Sequence, residues 1–124
     1  MTPVKVVDAS AIAAILFKEP ELADVQARLG DGPLYAPSMF VYEVGNICRT
    51  KCLRHPEERD DLLAGFAQLP SFGIEEVEIS PHHVMSLALA TGLTFYDASY
   101  LWLARELSAE LVTLDQALAR AASG

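Results

Sequence analysis

Apolar positions change period along this chain, and the changes mark alternating elements. Val4-Lys5-Val6-Val7 is a β-branched run that predicts a buried strand ending at Asp8. Ser10 then offers a cap to the apolar stretch Ala11 to Phe17, a short helix. Pro20 suits the first turn of a second helix, running to about Leu29 with Gly30 as its stop. Leu34-Tyr35-Ala36 predicts a second strand, closed by Pro37. From Ser38 the period lengthens again. Met39, Phe40, Val44, Ile47 and Cys48 fall at helical spacing, and this third helix should stop before Pro56. Pro56, Glu57 and Glu58 suit the opening turn of a fourth helix that carries Leu62, Leu63, Phe66 and Leu69 and ends at Pro70. Between Gly73 and Ile79, apolar Ile74, Val77 and Ile79 are set against Glu75, Glu76 and Glu78, a strand wet on one side. Ser80 and Pro81 start a helix to about Ala90, with Gly92 beyond it. Asp97 opens another over Ala98 to Leu107, Glu110 to Thr113 is a strand, and Ala117 to Ala121 a final short helix.

Strands separated by helices predict an α/β fold, a three-layer α/β/α arrangement around a mostly parallel central sheet. A length of 124 residues suits a single domain over 1–124, and no linker or internal repeat divides it. With 52% hydrophobic residues the chain can bury a core without disulfide or zinc staples. Cys48 and Cys52, four apart in a helical pattern, read as plain thiols. No apolar run reaches the roughly 18 residues of a membrane span, and the N-terminus lacks a signal peptide's features, so a cytoplasmic location is expected.

The formal net charge of −8 runs against the usual basic character of nucleic-acid binders. The positions of the acids change that picture. Asp8 follows the first strand and Asp115 the last, and in parallel α/β sheets ligands bind at the carboxyl ends of the strands. Asp97, at a helix start, faces the same rim. Glu43 lies four residues from Met39 and Ile47 and three from Phe40, which puts it on or beside an apolar helix face. A carboxylate there costs free energy unless it is paired or binds a cation. Each acid also has a structural reading: cap, turn residue or ion-pair member. Gathered together they would repel one another, and a hard dication such as Mg²⁺ or Mn²⁺ would relieve the repulsion. A cation-rich partner or bound ions would offset the negative charge. His55, His82 and His83 complete no nucleophilic set. Arg49, Lys51, Arg54 and His55 suit either a helix C-terminus or a phosphate-contacting patch.

Four segments together carry a resemblance. Val6-Val7-Asp8-Ala9-Ser10-Ala11, Ser38 through Asn46 with Glu43 inside it, Tyr96-Asp97-Ala98-Ser99-Tyr100-Leu101-Trp102-Leu103-Ala104, and Leu111-Val112-Thr113-Leu114-Asp115 resemble the PIN-domain family in order and spacing. In size the chain looks like the VapC toxins of type II toxin–antitoxin modules. The resemblance spans about Val4 to Leu118. It implies that Asp8, Glu43, Asp97 and Asp115 are metal-binding catalytic acids, with Ser10 and Thr113 as hydroxyls that orient carboxylates or metal waters. Asn46, one helical turn after Glu43, joins them as a further polar neighbour. It also implies an endoribonuclease using Mg²⁺ or Mn²⁺ on an RNA substrate, a homodimer, and inhibition by a VapB-type antitoxin. Ile12, Ile15, Leu16 and Phe17 nearly surround the first helix, which suits a partner groove or an ordinary buried helix. Trp102 suits core or dimer contact.

Two rivals stand beside this reading. A receiver-like signalling domain also gathers acids at a sheet rim, but it would want an acidic pair after the first strand and a lysine where Asp115 stands. A non-catalytic PIN-fold RNA-binding or scaffolding protein would not need the full acidic set.

Overall fold

The computed structural model describes residues 3–124. Four strands, β1 (Lys5–Val7), β2 (Leu34–Pro37), β3 (Glu75–Val77) and β4 (Glu110–Val112), form one sheet in the order β3-β2-β1-β4. Every pairing is parallel, with Val6 opposite both Tyr35 and Leu111, and Val7 opposite Val112. Parallel strands need crossovers, and the helices supply them: α1 (Ala9–Leu16), α2 (Leu22–Leu29), α3 (Phe40–Arg54), α4 (Arg59–Phe66), α5 (Pro81–Thr91), α6 (Phe95–Glu106) and α7 (Gln116–Ser123). The helix α1 packs on α2, α3 and α4, and α3 on α4; α6 packs on α5 and α7 and runs along β1, β2 and β4. The architecture is the three-layer α/β/α fold that the alternation predicts.

Val6, Val7, Ile12, Val25, Val44 and Val112 are fully buried, so β1 and the helices beside it form the centre of the core. A smaller cluster of Val84, Ala88 and Ala98 joins α5 to α6. Trp102 is half-buried and packs against both clusters. Ile12 and Leu16 are likewise core, while Ile15 and Phe17 are only partly covered. Cys48 is buried and Cys52 half-buried, both as free thiols.

Element ends differ from the sequence reading where tertiary contacts decide them. The first helix begins earlier than Ala11 because Asp8, not Ser10, is its cap: the Asp8 carboxylate accepts the Ala11 N–H at 3.0 Å. The second helix starts at Leu22, since Pro20 lies in a turn closed by the Leu22 N–H on the Glu19 carbonyl. The third helix starts at Phe40 instead of Ser38, because the Ser38 N–H is still committed to the Val77 carbonyl, extending the β2–β3 ladder. The expected fourth helix is three pieces: a 3₁₀ turn at Pro56–Glu58, α4, and a second 3₁₀ turn at Leu69–Phe72 with Pro70 in its first turn instead of ending a helix. The third strand shrinks to three residues, as suits a sheet edge. The sixth helix starts ahead of Asp97. Thr94 is its cap and accepts the Asp97 N–H at 3.1 Å, so Asp97 sits inside the first turn. The last helix runs from Gln116 to Ser123, with Asp115 as a cap accepting from the Leu118 N–H at 2.8 Å.

Candidate active site

The strand β1 delivers Asp8 directly into the cap of α1, with φ −92° and ψ 171°. Its carboxylate is almost wholly buried, and both oxygens are held. One accepts from Ser10 Oγ at 2.7 Å and from the Ala11 N–H; the other accepts from Thr113 Oγ1 at 2.5 Å. The two hydroxyls are themselves tied to the segment after β4. Ser10 Oγ accepts the Leu114 N–H at 3.1 Å, and Thr113 Oγ1 accepts the Asp115 N–H at 3.0 Å. Arg28 braces the same segment from outside, its guanidinium donating to the Thr113 carbonyl at 3.1 Å. Asp8 and Asp115 are therefore registered to each other through two side-chain hydroxyls.

Glu43 comes from the first turn of α3 and is half-buried. Its partner, which the sequence reading missed, is Tyr100 of α6. The Tyr100 hydroxyl donates to Glu43 Oε1 at 2.5 Å, so one buried phenol links α6 to α3. The available signal was position: Tyr100 follows Asp97 by three, which places both on one helix face.

Asp8, Glu43, Asp97 and Asp115 all line one cleft, about 600 Å³ in volume, with Ala9, Ser10, Met39, Tyr42, Asn46, Ile47, Tyr96 and Tyr100. Asn46 borders it but is exposed. Thr113 stands behind the rim and reaches the site through Asp8. Among the described residues, no lysine or arginine lines the cleft.

Electrostatics follow from burial and crowding. Burial raises the Asp8 pKa against the pull of its three donors, and Asp115 raises it further. Burial raises Glu43, opposed by the Tyr100 bond and reinforced by Asp97 and Asp8. Burial also raises Asp97, with Asp115 and Asp8 adding to it. Burial and the neighbouring Glu43 push the Tyr100 phenol upward, so it stays a donor.

The donor set is all carboxylate oxygen with uncompensated negative charge, which suits a hard dication. Among the described residues, no three of these four acids offer oxygens within 4.8 Å of one another; a ring nitrogen of His55 and carboxylate oxygens of Glu57 and Glu58 lie that close together, but these residues are exposed and away from the cleft. The wider spacing at the cleft suits an ion that keeps part of its water shell, as Mg²⁺ does. The basic run at the end of α3 is not part of the cleft. Lys51 pairs with Glu19 and lies 5.9 Å over the Phe17 ring, and His55 faces Glu57 and Glu58.

Removing the Tyr100 hydroxyl should loosen Glu43 without emptying the core. In Tyr100→Phe the ring stays and the 2.5 Å bond goes. The expected result is a fall of roughly 10- to 100-fold in divalent-cation affinity, read by titration calorimetry, with the fold intact. An unchanged affinity would make Tyr100 a packing residue only.

Parallel order, crossovers and a carboxylate cleft at the strand ends define the class of protein. The chain belongs to the PIN-domain family, whose model matches residues 5–124. Among named proteins it is 34% identical over 122 residues to Ribonuclease VapC3 of Pyrobaculum aerophilum, covering 92% of this chain and 91% of that one. Among solved structures it is similar to the crystal structure of PAE2754 from Pyrobaculum aerophilum. That match has a TM-score of 0.73 and 28% identity, over 95% of this chain and 84% of the other. The chain is thus a PIN-domain protein of the VapC type.

Proposed function

We propose that this chain is an endoribonuclease dependent on Mg²⁺ or Mn²⁺ and the toxin of a VapBC-type pair. In this reading Asp8, Glu43, Asp97 and Asp115 hold the cation. The observation that carries it is the convergence of these four acids on one cleft with no cationic side chain among its lining residues. A bound dication supplies two things there: it offsets charge on the oxygens of a phosphodiester and eases deprotonation of an attacking water.

The chain's own residues prepare the cleft. Ser10 and Thr113 fix the orientation of Asp8, and Thr113 also holds the backbone of Asp115. Tyr100 fixes Glu43. Met39 and Ile47 supply apolar lining beside the acids, which lowers the local dielectric and strengthens their pull on a cation. The net charge of −8 suits a cationic segment of a VapB-type antitoxin laid over the same acids. Action in the cytoplasm as a homodimer completes the proposal. No helix among the described residues is long and apolar enough to cross a membrane.

Purified protein incubated with a mixed RNA pool tests the reading. Cleavage is expected with Mg²⁺ or Mn²⁺, none with a chelator, and none with Asp8→Asn, which keeps a capping side chain on α1. Equal cleavage by the variant would identify a contaminant. The same cations at millimolar concentration should raise the melting temperature of the intact chain by linkage, and do so less in the variant.

A further inference from the structure

Seven large apolar side chains stand exposed among the described residues, and only two are aromatic: Tyr42, 81% exposed, and Tyr96, 58%. Both line the carboxylate cleft; the other five, all leucine or methionine, do not. Each tyrosine directly precedes one of the acids, Tyr42 before Glu43 in the first turn of α3 and Tyr96 before Asp97 in the first turn of α6. The fold does not use these rings, since neither joins the core clusters.

An exposed aromatic ring beside a carboxylate, twice, on two helices at one cleft, matches the chemistry of a nucleotide strand. Cations held by the acids would meet the phosphates, and the rings offer flat faces to the bases. Since no lysine or arginine is among the cleft's lining residues, base stacking adds affinity that direct ion pairs to phosphate do not supply. Stacking on aromatic side chains is strong and tolerant of base identity. It also needs bases free of a duplex stack, because bases within a helix have their faces covered by neighbours.

We propose that Tyr42 and Tyr96 are stacking platforms for two unpaired bases of the substrate RNA, one on each side of the phosphate that faces the four carboxylates. This rests on the ribonuclease reading above and adds the residues that select unpaired strands.

Two measurements on the full chain test it. With Ca²⁺ present, a single-stranded oligoribonucleotide carrying 5-iodouridine should photo-crosslink to Tyr42 and Tyr96, as mapped by mass spectrometry. In cleavage assays Tyr42→Ala and Tyr96→Ala should each raise KM about tenfold and change kcat far less. Tryptophan at either position should retain the wild-type KM, and leucine should not. Abasic sites flanking the scissile phosphate should weaken the wild type by a similar factor and the alanine variants little further. An unchanged KM in the alanine variants, with cleavage intact, overturns the stacking role and leaves the nuclease reading standing. Leucine performing as well as tryptophan also overturns it, and points to an apolar protein segment as the occupant. Failure of the intact chain to bind or cleave any RNA overturns both.

Discussion

Asp97→Asn will abolish cation-dependent RNA cleavage and raise the melting temperature of the cation-free protein. The first half follows from the proposed role. One of four oxygen donors loses its charge, and the loss of a preorganised electrostatic group typically costs on the order of 10²–10³ in rate. The second half follows from crowding. Asp97 is raised by burial and by the charges of Asp115 and Asp8, so without a cation its ionised form opposes folding. Its backbone N–H on Thr94 survives the substitution, so the helix cap is untouched. The gain should be about 1–2 °C, because the group is half-exposed and solvent screens it.

The sign of the pH dependence comes from the same shifts. Asp8, Glu43 and Asp97 all have folded pKa values above their ordinary values of 3.8, 4.5 and 3.8. Below that range both the folded and the unfolded chain are protonated, and this part of the stability is fully present. As pH rises, the unfolded chain releases its protons first, and stability falls until the folded groups have titrated. Melting temperatures in a chelator should therefore fall as pH rises above the ordinary carboxylate values and level off once the folded groups have titrated. The decline should be shallower in Asp97→Asn and in the wild type with Mg²⁺. A large drop in cation-free melting temperature for the variant would make Asp97 a structural residue instead.

Gly65→Ala should be the costliest small substitution in the chain. Gly65 lies within α4 where that helix meets the end of α1, and a Cβ there would sit closer than 3.0 Å to the Leu16 carbonyl oxygen. The obstacle is backbone, which cannot rotate aside as a side chain would. Alanine, ordinarily the better helix former, should here destabilise by about 1–3 kcal/mol, as overpacking does. That corresponds to a fall of roughly 5–10 °C in melting temperature. Gly65 lines no part of the carboxylate cleft, so activity per folded molecule at low temperature should match the wild type. A neutral or stabilising outcome would mean that α1 and α4 separate more easily than their contact implies.

The alternation of strands and helices was legible because period and turn residues agree along most of the chain. Val4 to Val7 and Leu111 to Val112 are runs that only a sheet buries on both faces, and Gly30, Gly73 and Gly92 mark real turns with positive φ. Helix starts were less legible because capping was decided at a distance. Asp8 and Ser10 are both good caps. What settles the choice is the pair of hydroxyls that turn the Asp8 carboxylate toward α1, and one of them belongs to Thr113, 105 residues away. Glu43 was visible as an acid on the wrong side of a helix. Tyr100 was hidden in an apolar stretch, where a buried phenol reads as core until its hydroxyl's partner is known. Tyr42 and Tyr96 were hidden differently, since exposure at a cleft mouth is not written in periodicity. For the acids, position after the strands points to one rim, and the folded chain brings all four to a single cleft.

The pairing of Asp8 with Thr113 also sets when the cleft can come into being. β1 needs β4 as its second neighbour, and Asp8 needs a hydroxyl that lies 105 residues downstream. Contacts of such long separation close late, after the local helices have formed. During synthesis, a chain that has not yet reached residue 113 lacks Thr113 and Asp115 altogether. Its first two acids can be in place on α1 and α3 while the cleft stays unfinished. A chain shortened ahead of Thr113 therefore lacks both the hydroxyl that turns Asp8 and the fourth acid of the cleft, and its carboxylate constellation stays incomplete however well its helices form.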